Sequence, residues 1–171
     1  MRQEARDADF SEYVVAHRAR LVRAARLLSA GDDAAAEDLV QTALTRIYVH
    51  WSRVSRADDP VGYGFRVLTN AFLDERRRAH RRREIATGAT PEQVGTTADP
   101  ETRHLVLRAL EQLAPRQRAV VVLRHFLQYD VAATAEVLGC AEGTVKSQNA
   151  KALAHLRELL GDELQTGGHL S

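Results

Sequence analysis

Apolar residues recur along this chain at spacings of three and four, the period of an amphipathic helix, and the chain reads as helical almost throughout. Phe10, Tyr13, Val14, His17, Leu21, Ala25 and Leu28 form a first stripe, closed by Gly31, which suits the turn beyond a helix C-terminus. Asp32 and Asp33 then offer N-caps for a second helix, with Ala36, Leu39, Val40, Ala43, Leu44, Ile47 and Trp51 inward. Asp38, Gln41, Thr42 and Thr45 fall mostly on its other side. Trp51 and Tyr48 are read as core packing, the ordinary use of large aromatics. Asp59 caps and Pro60 opens a third helix, whose inward stripe is Val61, Phe65, Leu68 and Phe72.

The period is lost after Glu84, in "IATGATPEQVGTTADPETR", a Thr-, Gly- and Pro-rich stretch with the composition of a linker. Asp99 and Pro100 restart helix, with Leu105, Ala109, Leu110 and Leu113 inward, and Pro115 begins another with Ala119, Val120, Leu123, Phe126 and Leu127 inward. In "DVAATAEVLGCAEGTVKSQNAKALAHLRELL", Ala135 stands four before Gly139 and Val145 six after it. That is the spacing of a helix-turn-helix, in which the small residue admits close helix approach and the glycine turns the chain. Val145, Ala152, Leu153, Leu156 and Leu160 then face inward, leaving Lys146, Ser147, Asn149, Ala150 and Lys151 to meet a major groove. The expected fold is all-α: small helical domains over residues 8–85 and 101–161, joined by a flexible linker, 86–100, with a disordered tail over 162–171.

Composition narrows the chemistry. The chain has 171 residues, 44% of them apolar, with a mean hydropathy of −0.34, which describes a protein able to bury a core. No apolar run approaches the roughly 20 residues that span a bilayer, and "MRQEARDADF" lacks the apolar centre of a signal peptide, so a cytoplasmic protein without membrane insertion is expected. The single cysteine, Cys140, excludes an internal disulfide and a multi-thiolate zinc site. The seven histidines are scattered with no metal-motif context, so neither a metal, a cofactor nor a catalytic residue is expected, and the chain does not read as an enzyme.

The formal net charge is only +1, yet residues 63–84 hold seven basic and three acidic side chains, a local excess of four. Six of the arginines fall in eight consecutive positions, Arg76 to Arg83. Arg66, Asn70, Asp74, Arg77 and Arg81 follow at intervals of four, four, three and four, so they share one face if the third helix continues that far. A basic stripe on a near-neutral chain points to an anionic surface met at one place.

The stretches "AEDLVQTALTRIY", "DPVGYGFRVLTNAFLDERRR", "LAPRQRAVVVLRHF" and "LGCAEGTVKSQNAKALAHLREL", in that order, resemble the extracytoplasmic-function sigma factors, the minimal two-domain members of the sigma-70 family of bacterial transcription initiation factors. The resemblance covers roughly residues 10–160 and implies a sigma region 2, a linker and a sigma region 4 helix-turn-helix. It implies an alternative sigma factor whose partners are core RNA polymerase, through the clamp helices and flap, and promoter DNA, duplex and melted; it leaves an anti-sigma factor open. Asp38, Gln41 and Thr42 correspond to the surface that docks on the clamp helices. Asn70 stands where family members read a flipped base of the minus-ten element, beside a loop from about Arg53 to Tyr63, with Asp74, Arg76, Arg77, Arg78 and Arg81 along the same DNA. Thr144, Lys146, Ser147, Gln148 and Lys151 stand at the minus-thirty-five element, with Arg124 as a backbone contact from the preceding helix.

Departures from the family's pattern bear on promoter choice. Ala141 replaces a common capping serine, a cap typically worth ~1 kcal/mol. Gln148 replaces a frequent arginine, Asn149 a common apolar residue, and Thr134 lies where an apolar residue usually packs. Gln and Asn favour adenine edges where Arg favours guanine. The alternative of a stand-alone helix-turn-helix regulator requires a dimer surface and leaves the amino-terminal domain without a role.

Overall fold

The computed structural model describes residues 2–85 and 101–167, with side chains described for residues 2–85 and 104–161. Among these residues the chain is helical and contains no strand. The helices are α1 (Arg2–Leu28), α2 (Asp33–Val49), α3 (Trp51–Val54), α4 (Pro60–Ile85), α5 (Glu101–Gln112), α6 (Pro115–Val121), α7 (Val131–Leu138) and α8 (Glu142–Gly167), with a π-helical segment, Val122–Phe126, continuing α6. The chain forms two compact units, residues 1–26 with 33–91 and residues 27–32 with 92–171. The expected linker, 86–100, lies outside the described residues, as do Asp99 and Pro100, the expected start signal for α5.

In the first unit the apolar stripes bury as their periods require. α2 packs on α4, with Leu39, Val40, Ala43 and Ile47 meeting the side that carries Phe65, Leu68 and Phe72. Each large apolar side chain so buried contributes roughly 1.5–3 kcal/mol. Asp59 is the cap foreseen for α4: its Oδ1 accepts from Gly62 N at 2.8 Å and its carbonyl from Tyr63 N at 3.1 Å. Trp51 is 4% exposed, its ring edge-on to Phe10 and its Nε1 donating to Asp9 Oδ2 at 3.0 Å, so it is core with its one polar atom satisfied.

In the second unit α5, α6 and α7 all pack on α8. Leu110, Leu113, Val121 and Ala152 form one buried cluster, and Val120, Ala135 and Val145 another. Gly139 turns the chain between α7 and α8 at φ +62°, with Cys140 N bonded to Ala135 O and Gly139 N to Glu136 O, the paired bonds of a Schellman motif. Thr134, expected to sit where an apolar side chain packs, is fully buried and satisfied, its hydroxyl donating to Asp130 O at 2.8 Å.

Two expectations fail here. Phe126 is not inward but 45% exposed. The segment Val122–Phe126 is a π-turn, with Leu127 N bonded to Val122 O, and its wider turn keeps Val121, Val122 and Leu123 buried while rotating Phe126 outward. The tail also departs from expectation, because α8 runs on through Gly167 instead of ending near residue 161. A glycine inside a helix costs only about 1 kcal/mol, and Glu163, Leu164 and Gln165 are good helix formers, so Gly161 does not stop it.

Candidate nucleic-acid interface

One candidate surface is α4, in the first unit. The helix is unbroken to Ile85, so Asn70, Asp74, Arg77 and Arg81 do lie on one face. They are not equivalent. Asn70 and Asp74 are half-buried, whereas Arg77 and Arg81 are exposed. The Asp74 carboxylate bridges two helices, accepting from Arg46 Nη1 of α2 at 3.0 Å and from Arg77 Nη2 at 2.5 Å. Burial pushes the Asp74 carboxyl up, but the hydrogen bonds and charges of Arg77 and Arg46 outweigh it and hold the group below its ordinary value.

The remaining arginines divide in the same way. Glu75 takes Arg82 at 3.0 Å and Arg78 at 3.8 Å, and Arg76 lies over the Phe72 ring at 5.5 Å. Arg81 and Arg83 make no ion pair among the described residues. The basic run therefore presents a mixture of internally balanced and uncommitted cations. On α2, Asp38, Gln41 and Thr42 are exposed opposite the buried Leu39, Val40 and Ala43, and Asp38 has no ion pair among the described residues.

A separate candidate surface is the helix-turn-helix, in the second unit. Thr144, Lys146, Ser147, Ala150 and Lys151 are exposed, forming the outward side of the start of α8. Gln148 and Asn149 are half-buried, because helical rotation carries them toward the flanks of Val145 and Ala152. Asn149, expected to be free for a base, is hydrogen-bonded through Oδ1 to His125 Nε2 of the π-turn at 2.9 Å. Arg124 Nη1 donates to Tyr129 O at 2.6 Å, which fixes the guanidinium against the loop before α7. Arg124, Val131, Lys146, Asn149, Leu153 and Arg157 are among the residues lining a cavity of about 350 Å³ beside α8.

Arg46, His125 and Arg157 escaped the sequence reading. Arg157 carried a signal, since Lys146, Ala150, Leu153 and Arg157 follow at four, three and four. Arg46 and His125 carried none, because each depends on a contact with another helix. Among the described residues no group of three or more His, Cys, Asp or Glu side chains could hold a metal ion.

Comparison with known proteins bears on both surfaces. The family model for sigma-70 region 2 matches residues 13–82, and that for sigma-70 region 4 matches residues 103–156. The RNA polymerase sigma-E factor of Streptomyces coelicolor is 41% identical over 154 residues, covering 89% of this chain and 86% of that protein. The ECF RNA polymerase sigma factor SigM of Mycobacterium tuberculosis is 39% identical over 160 residues, covering 92% of this chain and 80% of that one. Among solved structures, the sigma factor RpoE in complex with the anti-sigma factor NepR from Bartonella quintana aligns at a TM-score of 0.75 with 26% identity, covering 90% of this chain and 97% of that one. With α4 as far as Arg82 inside the first matched region, and α7 with the first half of α8 inside the second, the chain belongs to the sigma-70 family, as a sigma factor of the extracytoplasmic-function group.

Proposed function

We propose that the chain directs core RNA polymerase to a particular set of promoters and helps open them, and that it makes and breaks no covalent bond itself. The observation that carries this reading is the continuity of α4: one helix holds the half-buried amide of Asn70 and the uncommitted Arg81 on a single face, within the region 2 match. An amide beside a buried wall can hydrogen-bond an extruded base, and an exposed guanidinium can follow phosphates without reading sequence. Asp38, Gln41 and Thr42 would dock on the clamp helices, and the outward start of α8 would enter the major groove of the minus-thirty-five element. The NepR complex of RpoE makes an anti-sigma factor a candidate partner here too. No described helix is long and apolar enough to cross a membrane, and the cytoplasm is where such a factor would work.

Run-off transcription with purified core polymerase on matched, mismatched and premelted templates, at two salt concentrations, tests the reading. Asn70→Ala should impair opening at promoters with the preferred minus-ten base and be milder where that base is already wrong. Premelting should rescue it only in part, because a base remains to be captured. Arg81→Ala should weaken all templates evenly and increase salt sensitivity. If the chain footprints duplex promoter DNA alone and gives no run-off with core, it is a stand-alone helix-turn-helix regulator.

A further inference from the structure

One face of α1 grips the chain on both sides of a loop that has no buried side chain of its own. The loop is 55–59, between α3 and α4, with Ser55, Arg56, Asp58 and Asp59 exposed and Ala57 half-buried. With nothing of its own in the core, it takes its position from what its two ends are fixed to. Arg6, Asp9 and Tyr13 follow at intervals of three and four on α1, and they meet three successive points of the later chain. Arg6 Nη2 donates to Tyr48 O, at the end of α2, at 2.5 Å, and its guanidinium lies 4.8 Å from the centre of the Tyr48 ring. Asp9 Oδ2 accepts from Trp51 Nε1 of α3 at 3.0 Å. The buried Tyr13 reaches both sides of the loop: its ring lies 5.1 Å from that of Trp51, before the loop, and its hydroxyl donates to Pro60 O, after it, at 3.2 Å. Gly64 leaves room for that hydroxyl, since an added Cβ would strike it.

Burial of Trp51 and Val54 keeps α3 in the core, but apolar burial has no direction. A hydrogen bond fixes a distance and an angle, so the contacts of Asp9 and Tyr13 add orientation to both flanks of the loop. Arg6 and Asp9 precede the residues matched as region 2, 13–82, whereas the loop and Asn70 lie inside them.

Resting on the sigma-factor reading above, we propose that Asp9 and Tyr13 are positioning residues for promoter specificity: without touching DNA, they set loop 55–59 against Asn70 of α4 and so fix the shape of the pocket that takes the extruded minus-ten base. A loop free to shift loosens the pocket, which still admits the right base but rejects the wrong ones less. The signature is lost discrimination, with core binding and the grip on phosphates intact.

The test uses the full chain with core polymerase and a promoter selected from a library, its unpaired minus-ten position varied to all four bases. Tyr13→Phe removes the hydroxyl and keeps the ring; Asp9→Ala removes the acceptor, whereas Asp9→Asn keeps one. The ratio of run-off from the preferred base to run-off from the others should fall about fivefold in Tyr13→Phe and in Asp9→Ala, the equivalent of one neutral hydrogen bond, and should hold in Asp9→Asn. Salt dependence and capture of core in a pull-down should match the parent. Trp51 is the single tryptophan of the chain, so its emission reports this site, and quenching by acrylamide should rise in Tyr13→Phe and Asp9→Ala but not in Asp9→Asn. Val40→Ala, on the buried side of α2, is the control for stability: it should lower the melting temperature and leave the ratio unchanged. An unmoved ratio in Tyr13→Phe, failure of Asp9→Asn to keep the ratio, or an equal fall in Val40→Ala would overturn the proposal, the last by reducing the effect to stability. Quenching that rises while the ratio holds would also overturn it, because the anchors would then order Trp51 and not the pocket. Transcription by the parent with the ratio unmoved in the variants overturns the positioning role alone, whereas no transcription by the parent with core overturns the sigma-factor reading as well.

Discussion

Asp74 ties α4 to α2 through its ion pair with Arg46, and replacing it with asparagine isolates its charge from its shape. The variant keeps an acceptor oxygen but removes two ion pairs, to Arg46 across helices and to Arg77 along α4. Side-chain exposures of 36% for Asp74, 38% for Arg46 and 64% for Arg77 limit what each pair contributes. The Arg77 pair has the reach of an i,i+3 helix pair, about 0.3 kcal/mol, and the Arg46 pair lies nearer the upper end for exposed pairs, about 1 kcal/mol. Their loss should therefore cost about 1 kcal/mol at neutral pH, after allowance for screening. The pH dependence has a definite sign. The folded carboxyl is held below its ordinary value, so its contribution is fully present above the unfolded value and is lost as pH falls through the folded one. Urea unfolding followed by circular dichroism, in parent and Asp74→Asn, should show the full difference at about pH 7 and about pH 5, shrinking as pH falls below about 4. A double-mutant cycle with Arg46→Ala should return a coupling of about 1 kcal/mol. A difference that stays constant with pH, or a cycle that closes with no coupling, would show that Asp74 acts by packing and that the bridge contributes nothing.

Two other expectations follow from local geometry. Gly139→Ala should lower stability by about 1 kcal/mol through its left-handed backbone alone, since an added Cβ meets nothing within 4 Å; Gly64→Ala should cost more, because its Cβ would strike the Tyr13 hydroxyl that donates to Pro60 O, and thermal melts of the pair will rank them. Asp38→Arg combined with Gln41→Ala should weaken capture of core polymerase in a pull-down while leaving the helical spectrum and melting temperature within error, and full retention of core by a folded variant would remove the clamp assignment.

The parts of this protein that were legible in its sequence are those decided within one helix. Asp59 and Pro60 announced α4 because a cap and a preset φ act on the next three residues, and Gly139 announced the turn because a Schellman ending requires a positive φ. The shared face of Asn70, Asp74, Arg77 and Arg81 followed from the helical period alone. What the period could not decide was the chemical state of that face. Asp74 and Arg46 are separated by 28 residues, and nothing local to either reveals that the most central acid of the basic stripe is turned back toward α2. The same limit hid part of the second unit. In "VVVLRHF" a continued α-helix would send Phe126 inward, and no residue there marks the π-turn that instead turns it to solvent. The π-turn places His125 against α8, where it meets Asn149 across 24 residues of sequence. Taken singly, Asn149 looks like a reader of adenine and His125 like one more exposed histidine. Taken together they form a hydrogen bond between the π-turn and α8 that only the fold brings about, and it sets Asn149 half-buried against His125 where the helical period alone put it on the outward side.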